Sequence, residues 1–178
     1  MNKDSKKVLL HICCGVCGFH SIRRLKELGY KVSGFFYNPN IYPYNEYQRR
    51  KDAAAKVCAL EDVCFIETDY NSQDWQACCG MLGGEPEGAL RCRLCYELRL
   101  KRTYQACKEN SFSYFTTTLT ISPHKKSQAI FDAACKISED NFLKIDLKKG
   151  NGFKKTIELS NAHNLYRQNY CGCIFSLR

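Results

Sequence analysis

Residues 7–13 (KVLLHIC) form a short apolar run after a charged start, the pattern of a strand buried in a sheet. From 15 to 28 the period changes. Val16, Phe19, Ile22, Leu25 and Leu28 recur at helical spacing, and Gly29 supplies a stop. Residues 31–37 (KVSGFFY) read as a second strand, and 38–44 (NPNIYPY) as a loop broken by Pro39 and Pro43. Residues 45–60 read as a helix capped by Asn45, and 62–67 (DVCFIE) as a third strand. Strand, helix, strand, helix, strand predicts a three-layer, Rossmann-like α/β fold: a parallel sheet with covering helices, in one domain over residues 1–178. Ligands of such sheets bind beyond the carboxyl ends of the strands. Cys13 and Cys14 fall at that end of the first strand, and Tyr37 to Asn40 at that end of the second.

The second half is less regular. Residues 71–80 read as a short helix ending at Cys78 and Cys79, and the glycine-rich stretch after them as loop. A helix is expected over 91–109 and a fourth strand over 112–116. A helix opening at Ser122-Pro123 and running to Lys136 follows, since proline is well placed in a first turn. Residues 142–146 read as a fifth strand. The remainder is basic and polar until 166–178 (YRQNYCGCIFSLR).

With 178 residues and 44% hydrophobic content, the chain can bury a core without disulfide staples. Its thirteen cysteines therefore need another explanation. The count is odd, the start (MNKDSKKVLLHICC) lacks the apolar stretch of a secretory signal, and neighbours in CC, CxC and CxxC sit too close for ordinary disulfide geometry. No apolar run is long enough to span a membrane. These features point to a soluble, cytoplasmic chain with reduced thiols.

Three clustered sites stand out. Cys13, Cys14 and Cys17 lie at a strand-to-helix turn, where a helix N-terminus favours thiolate. Cys92 and Cys95 form a CxxC at a helix start, and Cys171 and Cys173 a CxC near the C-terminus. Thiolates are what iron and zinc require. Structural zinc usually takes two closely spaced pairs around a small knuckle, whereas these segments converge only at the active edge of a sheet. Spacing alone does not choose the metal. Cys58, Cys64, Cys107 and Cys135 read as singly buried thiols, and Cys78 and Cys79 divide evenly between that role and a local feature. His11 reads as a hydrogen-bonded core histidine and His163 as a surface residue.

The formal net charge of +9 favours anionic partners. Asn38, Asn40, Tyr42, Tyr44 and Tyr47 form one polar-aromatic stretch beside the expected site, and Tyr166, Arg167, Asn169 and Tyr170 another next to Cys171. Aromatics interleaved with cations suit unstacked RNA bases and phosphates. Neither a GxxxxGK[ST] loop nor a GxGxxG fingerprint is present; the first turn is CCGVCG instead.

Taken together, LLHICCGVC (9–17), FFYNPNIYPYNEYQRR (35–50), RCRLCYELRL (91–100), FTTTLTISPHK (115–125) and YRQNYCGCIFSL (166–177) resemble the epoxyqueuosine reductase QueH family. They depart from it at Gly15-Val16, where Ala-Pro is expected. The resemblance implies a fold related to adenine-nucleotide hydrolases. It also implies the two-electron reduction of epoxyqueuosine to queuosine at the wobble position of tRNA, with a [4Fe–4S] cluster beside a further mononuclear iron. On that basis Cys13 or Cys14, Cys92, Cys95 and one of Cys171 and Cys173 are expected to hold the cluster, and the rest, Cys17 included, the extra iron. Asp69, Tyr37 and His124 are the candidate proton sources. Arg91, Arg93, Lys125 and Arg167 are expected to meet anticodon-loop phosphates and Tyr166 to meet bases, with an unidentified electron donor as a further partner. Two rivals stand beside this reading: a zinc-stabilised RNA-binding module without catalysis, and a nucleotide hydrolase or thiotransferase on the same sheet.

Overall fold

A computed structural model describes residues 6–177; the first five residues and the last of the expected domain lie outside the described residues. Four parallel strands form one sheet: β1 (Lys7–His11), β2 (Lys31–Phe36), β3 (Cys64–Glu67) and β4 (Tyr114–Thr117), in the order β3-β2-β1-β4. Among the described residues six α-helices accompany it: α1 (Gly15–Glu27), α2 (Tyr44–Leu60), α3 (Ser72–Cys79), α4 (Leu90–Glu109), α5 (Ser127–Ser138) and α6 (Gly152–Ala162).

The three layers follow from alternation along β1. Val8 and Leu10, with Ile12 beyond the strand, pack against Phe19, Ile22 and Leu25 of α1 and Val57 of α2. Leu9 points the other way, into a second core with Tyr96 and Leu100 of α4 and Ile130 and Ala133 of α5. Strands buried on both faces are expected to read as near-continuous apolar runs, as β1 does.

Chain order reverses at β1: β2 and β3 lie on one side of it and β4 on the other. This topological switch point opens a crevice beyond the carboxyl ends of β1 and β4. Gly15 lets the start of α1 approach α2 closely, because a Cβ there would lie 2.4 Å from the Ala53 carbonyl oxygen of α2.

Several elements differ from the sequence-based expectation. β1 ends at His11 rather than Cys13, since the Cys13 amide donates to the Thr118 hydroxyl (3.1 Å) instead of continuing the ladder. α2 begins at Tyr44 behind Pro43, and Asn45 lies inside it rather than capping it. α5 begins at Ser127, because Ser122 first closes a turn: its hydroxyl and carbonyl accept from the amides of His124 and Lys125. The expected fifth strand is reduced to a single bridge, Phe115 to Phe142. Past it the Thr116 and Thr120 hydroxyls donate to the Leu143 and Ile145 carbonyls, where ladder bonds would otherwise form. Helix α6 falls in the stretch read as polar tail. Its buried positions are Gly152, Thr156 and Ser160, so it packs closely on α1 without an apolar signature.

Candidate metal-thiolate site

The turn after β1 places Cys13 and Cys14 just before α1, and Cys17 one turn into it. Their three sulfurs lie within 4.8 Å of one another, the only group among the described residues in which three potential metal-ligating side chains meet so closely. Hydrogen bonds from Cys14 and Cys17 pull the Cys13 thiol well below its ordinary range. Burial opposes them, and the Arg99 guanidinium and the Thr118 hydroxyl (3.2 Å from Cys13 Sγ) assist. Cys14 is pushed up to about 12, first by its hydrogen bond to Cys13, and Cys17 is raised by its bonds to both. Of the three thiols, Cys13 is thus the one whose ionised form its neighbours favour.

Above this turn lies a cavity of about 390 Å³, whose walls include Cys13, Cys17, Cys171, Arg99, His124 and Lys125. The C-terminal segment reaches it through a buried anchor. Arg50, 2% exposed, donates Nε to Glu46 (2.7 Å) and its two terminal nitrogens to the Cys171 and Tyr170 carbonyls (3.0 and 3.1 Å). The second Glu46 oxygen accepts from the Tyr166 hydroxyl at 2.6 Å. The Tyr42 amide donates to the Gly172 carbonyl (2.8 Å), fixing the residue between the two CxC cysteines.

The CxC divides its cysteines. Cys171 lines the cavity, whereas Cys173 turns inward against Cys95, Cys79 and Trp75. Cys92 and Cys95 occupy the first turns of α4. Both are buried, burial raises both thiols, and Cys95 is pushed up to about 11. These four cysteines do not close into a group as tight as the first three. Cys78 and Cys79 lie beside them, their sulfurs 3.0 Å apart.

The other expected site residues separate. His124 and Lys125 line the cavity; Tyr37 and Asp69 do not. The Tyr37 hydroxyl donates to Asp74 (3.1 Å), and burial beside that carboxylate raises its phenol further. Asp69 is exposed beyond β3. Arg93 and Arg167 are exposed, and Tyr166 is half-buried with Arg49 over its ring. Arg91 departs from the RNA-facing role: it is 3% exposed, and one terminal nitrogen donates to the carbonyls of Leu82, Gly83 and Glu85. Its guanidinium braces the loop before α4 and is withdrawn from solvent. Sequence reasoning missed Glu46, Arg50 and Arg99. Glu46 and Arg50 stand four apart on a helix, a spacing that signals an ion pair but not its burial.

Soft cysteine sulfurs from several segments, a cavity against them, and buried cations to balance the charge they would carry on a metal define a metal-thiolate protein of the doubly wound α/β class. The donor set suits iron–sulfur chemistry, since clusters are held by cysteine thiolates. The predicted subunit of tRNA methyltransferase from Methanocaldococcus jannaschii shares the fold, with a TM-score of 0.59 at 14% identity over 87% of this chain and 74% of that one. So does the U34-tRNA thiolase NcsA from Methanococcus maripaludis, solved with its [4Fe-4S] cluster, at a TM-score of 0.57, 15% identity, 99% of this chain and 63% of that one. The family described as Epoxyqueuosine reductase QueH matches residues 8–178. A relative of that description from Streptococcus pyogenes serotype M1 is 35% identical, over 96% of this chain and 70% of its own. The chain belongs to the QueH family. Among the described residues, no helix is long and apolar enough to cross a membrane.

Proposed function

We propose that this protein is an oxidoreductase that converts epoxyqueuosine to queuosine in the anticodon loop of tRNA. The observation that carries the reading is the meeting of Cys13, Cys14 and Cys17 at the switch point, with Cys13 and Cys17 facing a cavity that Cys171 enters from the far end of the chain. The reaction removes one epoxide oxygen: the epoxide, two electrons and two protons give an alkene and water. The cysteines would hold a [4Fe–4S] cluster that delivers electrons singly, with an adjacent iron as Lewis acid toward oxygen. The electrons come from an external donor.

The chain's own residues account for the remaining work. Lys125 and His124 stand at the cavity wall, where a cation meets an RNA phosphate and an imidazole can pass a proton to the departing oxygen. Arg93 and Arg167 extend positive charge outside it. Arg50 and Glu46 hold Cys171 against the cavity. Asp69 and Tyr37 are set apart from the cavity, which leaves His124 as the proton source among the three residues first considered.

Metal and acid-labile sulfide analysis of anaerobically purified protein, with its visible spectrum, tests the reading. Brown protein with iron and sulfide in comparable amounts, plus iron in excess of sulfide, is expected. Colourless protein that holds zinc and no sulfide, even after anaerobic reconstitution, would establish the zinc-stabilised RNA-binding module instead.

A further inference from the structure

Arg99 is a buried cation of the site. It lies on α4 one turn after Cys95, is 2% exposed, and forms a wall of the cavity. Among the described residues it has no carboxylate partner. One terminal nitrogen donates to Asn38 Oδ1 at 2.5 Å, and the Asn38 amide donates in turn to the Ile12 carbonyl at 2.9 Å, next to the cysteine turn. Its Nε has no hydrogen-bond partner. The groups that favour its charge are sulfurs from three separate segments: Cys95, Cys13 and Cys171.

A guanidinium withdrawn from water without an anion is strongly unfavourable, because its lost hydration is not replaced. A neutral amide oxygen does not supply the missing charge. Thiolates gathered around a metal do, since such a centre is a net anion. Adding an electron makes it more negative, so a fixed cation in a water-poor wall favours the reduced form. Net charge and hydrogen bonds to sulfur are among the main levers on cluster potential. Lys125, on the turn before α5, lines the same cavity and also faces Cys171 and Cys13.

We propose that Arg99 is a positioning residue that acts by its charge: it is the built-in counter-ion of the metal-thiolate centre, strengthening metal binding and making the centre easier to reduce. This rests on the cluster reading above and adds a residue through which the protein sets the driving force of the reaction. The rival is that Arg99 serves only as a hydrogen-bonded tie to Asn38, whatever its charge.

The test compares wild type, Arg99→Lys and Arg99→Gln as full-length protein. Two quantities are read: the cluster's midpoint potential by anaerobic spectroelectrochemistry after reconstitution, and Co2+ affinity of the metal-free protein from sulfur-to-metal charge-transfer absorption. Arg99→Gln is expected to lower the reduced-to-oxidised ratio at a fixed poise about tenfold, or roughly 59 mV for one electron, and to weaken Co2+ binding by a similar factor. Arg99→Lys is expected to lie within about threefold of wild type on both scales, the tolerance being set by the roughly 0.6 kcal/mol value of RT. Equal values for all three proteins, or equal impairment of both variants, would overturn the proposal. If Arg99→Gln accepts no cluster, the Co2+ titration decides. Wild type that accepts no cluster counts against the functional reading, whereas charge-independent Co2+ binding counts against Arg99 alone.

Discussion

Replacing Arg50 by methionine should release the C-terminal cysteine segment. Methionine retains much of the aliphatic volume but removes three charged hydrogen bonds, to Glu46, Tyr170 and Cys171. Glu46, 6% exposed, is left buried with the Tyr166 hydroxyl as its remaining partner. Breaking a buried pair by deleting one member costs about 3–5 kcal/mol, because the survivor keeps its desolvation penalty. That is a large share of a typical domain stability of about 5–15 kcal/mol. At about 2–4 °C per kcal/mol for a chain of this size, melting should fall by roughly 6–20 °C. Urea unfolding of the metal-free, reduced protein gives the free energy, and hydrogen exchange over 166–173 shows where protection is lost. Arg50→Lys should fall between, because an ammonium cannot reach the carboxylate and both carbonyls in the planar fork that Arg50 uses. An unchanged urea midpoint and unchanged protection over 166–173 in Arg50→Met would refute the anchoring role.

Acid stability should depend on His11. Its Nε2 donates to the Tyr37 carbonyl (3.2 Å), which can only accept, so Nδ1 accepts from the Thr117 hydroxyl (2.9 Å) and the buried ring is neutral. Burial, assisted by Arg99, lowers its pKa to about 3. The unfolded chain therefore binds the extra proton first, and stability is full above about pH 6.5 and is lost as pH falls toward 3. Between pH 7.5 and 5.5 this group should remove about 1.4 kcal/mol, a contribution absent from the urea-derived slope of His11→Asn; an identical slope would contradict it. Gly15→Ala should cost about 1–3 kcal/mol or more, since the added methyl meets the Ala53 carbonyl rather than a yielding side chain. The same variant should bind less iron, as α1 carries Cys17; wild-type stability and iron content would show that the close approach is not required.

The sheet was legible because the central strands β1 and β2 are largely buried and read as apolar runs after a lysine, while the edge strand β3, with Cys64 exposed, is marked only by a short apolar run between acidic residues. Parallel topology then assigned Cys13 to the active edge before any contact was known. Helix α6 was hidden because its packed face is Gly152, Thr156 and Ser160, chosen for closeness rather than hydrophobicity. The cysteines announced the chemistry, but the division of the CxC, with Cys171 outward and Cys173 inward, depends on how the tail crosses α2. Arg50, Arg91 and Arg99 were illegible for one shared reason. Local sequence reads an arginine on a helix as solvated, and only tertiary structure reveals carbonyls, a carboxylate or sulfurs closing over it. Tyr37 and Asp69 lie near strand ends in sequence, yet α3 takes up the Tyr37 hydroxyl and Asp69 points outward.

The most direct measurement is anaerobic incubation of the iron-loaded protein with tRNA carrying epoxyqueuosine and a chemical reductant, followed by nucleoside mass spectrometry. The account predicts loss of one oxygen from the modified nucleoside, giving queuosine, in wild type and none in Cys13→Ser. Epoxyqueuosine left intact by wild type with its cluster demonstrably reduced, or converted equally by Cys13→Ser, would contradict it.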